Sequence, residues 1–379
     1  MPYTAPGDVV RVEDGKLVEV VEPSPHRVLP VCRHFGTCGG CALQHIDDET
    51  YRAFKRDQVT QALAQRGIED VAVEAPVIVP PNTRRRASLK ALKQKGEIKL
   101  GFNARHSHAI VDMHECHVLT PELFVLVGKL RPLMHAILKE GEGATLHLTE
   151  ADNGFDLSLE MKRADAPATV TQIAQRAPQL GLIRVTAQAD PIAEFEAPRL
   201  RIANADVRLP PEPFLQSTRE SEQFLQAYVQ QNIGKAKSIA DLFCGIGTFA
   251  LPLAAHAKVQ AFDSDAAMIA SLTAAARAAK GLKPLTAERR DLFRRPLMAS
   301  ELGAFDAVVL DPPRAGAAAQ TEQIAKSKIA RVIYISCNPA SFARDARTLI
   351  DGGLRLAALT PVDQFLWSAQ LELAAIFQR

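Results

Sequence analysis

The chain predicts an α/β protein with a doubly wound, mostly parallel sheet in its C-terminal half and a smaller, β-rich α+β domain before it. Two observations lead there. Beyond Pro210-Pro211-Glu212-Pro213, apolar strand-length runs alternate with helical segments, and such alternation calls for a parallel sheet clothed by helices. Before that linker, from about residue 76, short runs separated by turn residues point to strands. At 379 residues the chain has room for two or three cores.

In chain order, the first thirty residues are rich in Val, Glu and Pro and read as a few short strands, too small for a core of their own. Residues 50–67 predict a helix, with Tyr51, Phe54, Val59 and Leu63 near helical spacing and Gly67 as its stop. Ile98–Phe102 and Ala109–Val111 flank one possible hairpin. Thr145–Thr149 and Phe155–Leu159, separated by Asp152-Asn153-Gly154, make a second. The later strands are Ile239–Phe243, Lys258–Phe262, Phe305–Leu310, Arg331–Ser336, Leu354–Leu359 and Leu371–Phe377, with helices through Ala255 and Ala279 after the first two. The expected organisation is a short β segment over 1–31, a central domain over 32–210 and the α/β domain over 211–379.

Nearly half the residues are hydrophobic and charges are near average, as in an ordinary globular protein. No apolar stretch approaches the roughly 20 residues that span a bilayer. The start, Met-Pro-Tyr-Thr-Ala-Pro-Gly-Asp, lacks the regions of a signal peptide. A cytoplasmic protein with reduced thiols, no membrane association and a monomeric state is expected. The net charge of +2 decides nothing about partners. Its distribution says more: Arg84, Arg85, Arg86, Lys90, Lys93, Lys95, Lys99 and Arg105 face a single acid, Glu97. That stripe either attracts phosphates or is the solvated face of a strand pair.

In an open α/β sheet, ligands bind beyond the carboxyl ends of the strands. Asp241 and Gly245-Ile246-Gly247 form the first strand-to-helix turn, where missing side chains let a ligand approach the backbone. Asp263 ends the second strand, the place of a carboxylate that accepts ribose hydroxyls. Asp291 ends a third strand, and Asp311 with Pro312-Pro313 a fourth. A G-x-G turn alone is weak, but with Asp263 it indicates a nucleoside-containing cofactor. NAD is the rival. Thr248-Phe249 stands where the dinucleotide fingerprint needs its third glycine, so S-adenosylmethionine, which has no pyrophosphate, fits better.

Cys337 follows the Arg331–Ser336 strand, and Asn338-Pro339 forces a turn that sets its thiol at the sheet's rim. A free cysteine is often just a small buried apolar residue. Beside a methyl donor it suits one problem in particular, because C5 of a pyrimidine is too poor a nucleophile to take a methyl group directly. Thiolate addition at C6 makes C5 enolate-like; after C5 takes the methyl group, a base removes its proton and the thiolate leaves. Glu372, between Leu371 and Leu373, is the candidate base, since desolvation in an apolar strand raises a carboxyl's pKa. A strand-edge glutamate facing water is the plainer alternative.

Cys32, Cys38 and Cys41 lie within ten residues and Cys116 follows alone, a thiol set that suits a soft metal. These residues leave tetrahedral zinc and an iron–sulfur cluster both open. Cys244 reads as a small residue filling the glycine turn.

Together these segments resemble the RNA uracil-C5 methyltransferases, which make 5-methyluridine in ribosomal and transfer RNA. The likeness runs from about Cys32 to the C-terminus. It is carried by Asp241-Leu-Phe-Cys-Gly-Ile-Gly-Thr-Phe249, Leu310-Asp-Pro-Pro-Arg-Ala-Gly316, Ser336-Cys-Asn-Pro-Ala-Ser-Phe-Ala-Arg-Asp345 and the block from Asp363-Gln-Phe365 through Gln370-Leu-Glu372. The resemblance implies a class I (Rossmann-like) methyltransferase domain, with Cys337 as nucleophile and Glu372 as general base. It implies Gln216 (in Phe214-Leu215-Gln216), Phe243, Asp263 and Asp311 as S-adenosylmethionine contacts. The upstream cysteines match a subgroup with C-x5-C-x2-C and a distant fourth ligand, so Cys32, Cys38, Cys41 and Cys116 are implied to hold a [4Fe-4S] cluster of structural role. That subgroup points to 23S ribosomal RNA as partner, with transfer RNA the alternative.

Three departures from the family stand out. Residues 1–31 are too few for the complete RNA-binding β-barrel of many members, Thr218 replaces an asparagine, and Gln370 replaces a histidine. An amino-methyltransferase built on Asp311-Pro-Pro-Arg314 would leave Cys337 idle and would lack an aromatic residue to stack the base. A non-catalytic RNA-binding protein would have no use for Cys337 or Glu372.

Overall fold

The computed structural model of the protein describes residues 2–69 and 71–379. Contacts divide it into two units: residues up to Phe54 with Pro80–Ala197 and Phe365–Ala369, and Lys55–Val79 with Pro198–Gln364 and Gln370–Arg379. The units interleave along the chain. Their main boundary falls at Ala197/Pro198 and not at the proline-rich 210–213, because the hairpin Arg199–Ile202/Ala205–Arg208 packs on the second unit's helix Ala266–Ala278. Among the described residues no helix is long and apolar enough to cross a membrane.

The second unit is an eight-stranded sheet. Its strands lie in the order Leu285–Arg289, Lys258–Asp263, Ser238–Leu242, Ala307–Leu310, Arg331–Ser336, Glu372–Gln378, Arg355–Asp363, Val77–Ile78. The first five are parallel, joined by helices, as right-handed crossover units require. Glu372–Gln378 then runs antiparallel between Arg331–Ser336 and Arg355–Asp363. The strands are near-continuous apolar runs because both faces are covered: Ala240, Leu242, Val308, Leu310, Val332 and Tyr334 join one core with helix residues such as Leu63, Ile324 and Leu349.

Reversal of the last strand matters for chemistry. Ser336 pairs with Leu373 and Val362 with Glu372, so Glu372, at the strand's beginning, stands beside the carboxyl end of Arg331–Ser336, where Cys337 follows.

The first unit carries a six-stranded sheet in the order Glu97–Gly101, Arg86–Gln94, Gly143–Ala151, Gly154–Met161, Leu182–Ala187, Asp190–Glu194. The Asp152-Asn153 turn joins Gly143–Ala151 to Gly154–Met161, as its chemistry predicts. The other expected hairpin is subsidiary. Glu97–Gly101 forms its ladder with Arg86–Gln94, and the expected partner segment docks beside it through Val111 N–H to the Phe102 carbonyl, Met113 N–H to the Leu100 carbonyl and the Asn103–Ile110 bridge. Helices Pro121–Ile137 and Pro167–Arg176 interrupt a region read as strands. Thr120 caps the first by accepting from the Leu123 amide, and Leu123, Leu126, Val127, Leu130 and Leu133 bury one face against Leu89, Leu100, Leu146 and Leu157.

The basic stripe is not one face. Arg85 is buried, Lys90 donates to Thr145 and Lys93 to the His135 carbonyl, whereas Lys95 and Lys99 face water. Arg105 lies over the Tyr3 ring at 5.2 Å.

Candidate active site

The Ser238–Leu242 strand ends in Phe243, which has a left-handed φ of 63°, a strained setting for a bulky residue that clusters at functional sites. Gly245 and Gly247 follow with φ of 54° and 94°. They differ in purpose. A Cβ on Gly247 would meet Leu272 Cδ1 at 2.4 Å, so the protein's own packing fills that space; at Gly245 the nearest atom is Met268 Sδ, at 3.8 Å. The Gly245 amide donates to Asp263 Oδ2 at 2.9 Å, and Asp265 N–H to Asp263 Oδ1 at 2.9 Å. Thus the carboxylate at the end of the second strand braces the turn as well as facing outward.

Asp291 does not end a strand: Leu285–Arg289 stops short of it. Its carboxylate accepts from the Phe293 and Arg294 amides and shapes a turn that sets the exposed Phe293 ring 5.4 Å from Phe243. Asp241 lies beneath the glycine turn at 0% exposure, with the Ala250 amide the backbone group that opposes the rise in its pKa. Burial and the neighbouring Asp311 carboxyl push its pKa up to about 8. Cys244 is buried in the same turn, its thiol held well above the ordinary range by burial.

The second group of residues gathers where Ser336, Leu310 and the start of Glu372–Gln378 meet. Cys337 is half-buried. Burial, then the carboxyls of Glu372 and Asp311, push its thiol up to about 11, while Arg314 pulls it down. Glu372 is 3% exposed, and burial lifts it to about 8 against the pull of a hydrogen bond from Gln364 and the charge of Arg314. Asp311 is held well above the carboxylate range by burial and by the Glu372 charge. Gln216 donates to Asp311 Oδ2 at 3.2 Å.

Three residues here make contacts that their sequence pattern does not announce: Gln364 and Arg314 lie inside quoted motifs without a role, and Lys55 lies outside them. Gln364 donates to Glu372 Oε2 and to Gln216 Oε1, both at 2.7 Å. Lys55, fully buried, donates to Asp363 Oδ1 at 2.9 Å and to the Gln370 carbonyl at 2.6 Å. Arg314 donates to Gln370 Oε1 at 2.9 Å. The two departures from the family pattern acquire local reasons: Thr218 caps helix Arg219–Asn232 by accepting from Ser221 N–H, and Gln370 receives Arg314.

In the first unit, Cys32, Cys38, Cys41 and Cys116 line one cavity of about 160 Å³, with His34, Gln44, Arg84, Phe102 and Glu115 among its other walls. All four thiols are free. Burial raises each, Cys41 to about 12, with the other three cysteines adding to the rise. Gly40 N–H donates to Cys38 Sγ at 3.4 Å. Among the described residues no group of three or more His, Cys, Asp or Glu is arranged as a metal site.

The family model for tRNA (uracil-5-)-methyltransferases matches residues 199–379. An uncharacterized RNA methyltransferase of Brucella suis biovar 1 (strain 1330) is 44% identical over 392 residues, covering 100% of this chain and 92% of the relative. The 23S rRNA (uracil(1939)-C(5))-methyltransferase of Vibrio vulnificus (strain YJ016) is 31% identical over 378 residues, covering 96% of this chain and 85% of its own length. The crystal structure of Pyrococcus abyssi tRNA (uracil-54, C5)-methyltransferase, in complex with S-adenosyl-L-homocysteine, shares the fold with a TM-score of 0.74 at 22% identity, over 99% of this chain and 94% of that one. Identity of this extent over nearly the whole of both chains places the protein in the RNA (uracil-5-)-methyltransferase family, and it is an enzyme of that family.

Proposed function

We propose that this RNA uracil-C5 methyltransferase acts on 23S ribosomal RNA with S-adenosylmethionine, by covalent catalysis from Cys337 and proton removal by Glu372. The observation that carries this reading is the register of the last strand, which sets a buried carboxyl beside the strand end that bears the thiol. The ribosomal target rests on the Vibrio vulnificus relative, whose likeness covers both chains.

The residues around the glycine turn fit the cofactor. Asp263 faces a side-chain-free backbone at Gly245, and the nearest atom to a Cβ there is Met268 Sδ at 3.8 Å, so the turn leaves room for a ligand. Gln216, Phe243, Asp263 and Asp311 would hold S-adenosylmethionine, which when bound supplies an electrophilic methyl group on a sulfonium centre. Cys337 Sγ adds to uracil C6 and the C5=C6 electron pair becomes available at C5. Once C5 is methylated, Glu372 accepts its proton, the C5–H pair re-forms the double bond, and the C6–S pair returns to sulfur. With its thiol at about 11, Cys337 is mostly neutral near pH 7, so adduct formation should accelerate with pH towards that value.

Cys32, Cys38, Cys41 and Cys116 would hold a [4Fe-4S] cluster. Their sulfur-only donor set suits soft metal chemistry, and the half-buried Arg84 would offset the charge of four thiolates. The cluster would pin the Cys32–Cys41 loop to the Cys116 segment, and no catalytic step passes through it. A cytoplasmic, monomeric enzyme completes the reading.

RNA carrying 5-fluorouracil tests the chemistry, because a C5 fluorine cannot leave as a proton does. An adduct stable to SDS should form with the parent and vanish in Cys337→Ala; persistent trapping by Cys337→Ala sinks the mechanism. Mapping 5-methyluridine in a deletion strain decides the target: loss from transfer RNA alone excludes the ribosomal assignment. Colourless protein with stoichiometric zinc would overturn the cluster.

A further inference from the structure

Gln364 is 3% exposed, and its amide is saturated. Oε1 accepts from the Ser217 backbone N–H at 2.7 Å and lies 3.1 Å from Ser221 Oγ. Ser221 has one proton, also within reach of the Thr218 carbonyl, so its hydroxyl leaves the amide's orientation undecided. The Ser217 N–H does not: it can only donate. It therefore fixes Oε1 towards itself and turns Nε2 towards Gln216 Oε1 and Glu372 Oε2. Gln216, obliged to offer its oxygen to Gln364, must turn its own Nε2 to Asp311. One backbone donor thus sets the direction of every hydrogen bond in the line Glu372–Gln364–Gln216–Asp311. Both carboxyls at its ends are required to accept.

We propose that Gln364 is a positioning residue that holds Glu372 Oε2 in acceptor form and in place to take the C5 proton, while locking the Gln216 amide onto Asp311. It acts through the two carboxyls, reaching Glu372 directly and Asp311 by way of Gln216. The inference rests on the proposed reaction. In that reaction the methylated adduct persists until Glu372 accepts the C5 proton, so a misdirected Glu372 should delay release and not methyl transfer.

Gln364→Met keeps the volume and removes all four hydrogen bonds. In a single-turnover assay on ordinary RNA at saturating S-adenosylmethionine, where a loosened Gln216 is offset by cofactor concentration, methyl transfer should stay within a few-fold of the parent. Breakdown of the Cys337 adduct should slow by about 10²-fold, as for a displaced general base. The pH profile of release should also move, its acid limb shifting to higher pH because the hydrogen bond that favours ionised Glu372 is gone. Gln364→Glu keeps the Ser217 contact but presents an oxygen to Glu372 and Gln216. It should slow release further and weaken binding of S-adenosylhomocysteine, and it decides the matter if Gln364→Met does not fold. Release at the parent rate with the parent pH profile in either variant overturns the inference, with the covalent reading intact if the parent still traps fluorinated RNA. A parent that forms no adduct overturns both.

Discussion

At the level of single residues, Glu372 and Asp241 are carboxyls whose neighbourhood keeps them protonated far above their ordinary range. Each is lifted to about 8, chiefly by burial. A raised folded-state pKa means that the native protein keeps a proton the unfolded chain releases. That contribution to stability is complete below the unfolded value and is lost as pH rises through 8. Glu372→Gln and Asp241→Asn remove the titration. Their melting temperatures should match the parent's in acid and exceed it above pH 8. A parent-like pH dependence of melting in both variants would refute the assignment. Glu372→Gln should also accumulate the covalent adduct on ordinary RNA. Lys55 illustrates what residue-level reading overlooks. The helix Asp48–Ala64 has Tyr51, Lys55, Val59 and Leu63 on one face at four-residue intervals, all buried, whereas Phe54 is only half-buried. Hydrophobicity picked Phe54 for that face; spacing alone would have picked the lysine.

Among the elements, the turn after Ser238–Leu242 separates two glycines that look equivalent in sequence. Gly247→Ala would drive a methyl group into Leu272 and Leu251 and should cost about 1–3 kcal/mol by denaturant melts. Gly245→Ala has room and meets only the left-handed backbone penalty, about 1–2 kcal/mol. A Gly247→Ala that folds as stably as the parent would show that the turn relaxes. Thr218 behaves as a helix cap, so Thr218→Ala should lose about 1 kcal/mol and Thr218→Asn almost none. Helix Pro121–Ile137 was legible in principle: Thr120-Pro121 is a start signal and the leucines follow at helical spacing. Short apolar runs alone suggest strands there, but a buried helix produces them too.

For the whole molecule, the buried Lys55–Asp363 pair ties the second unit's part of helix Asp48–Ala64 to the last residue of the strand that Gln364 follows. Lys55→Met strands an uncompensated carboxylate and should destabilise by about 3–5 kcal/mol; the double variant Lys55→Met, Asp363→Leu should recover most of that loss. Equal instability in the single and double variants would mean that the pair has no specific role. Sequence patterning determined the strand–helix alternation, the glycine turn, Asp263 and Asp311 at strand ends and the clustering of four cysteines, because each is a local property of period or spacing. Tertiary structure decided which acid meets which thiol. The direction of Glu372–Gln378 in the sheet, and hence the approach of Glu372 to the end of Arg331–Ser336, follows from where a strand finds open backbone partners. The interleaving of 55–79 into the second unit and the pointing of the Gln364 amide have the same origin. They depend on hydrogen-bond partners distant in the chain, which no local pattern encodes.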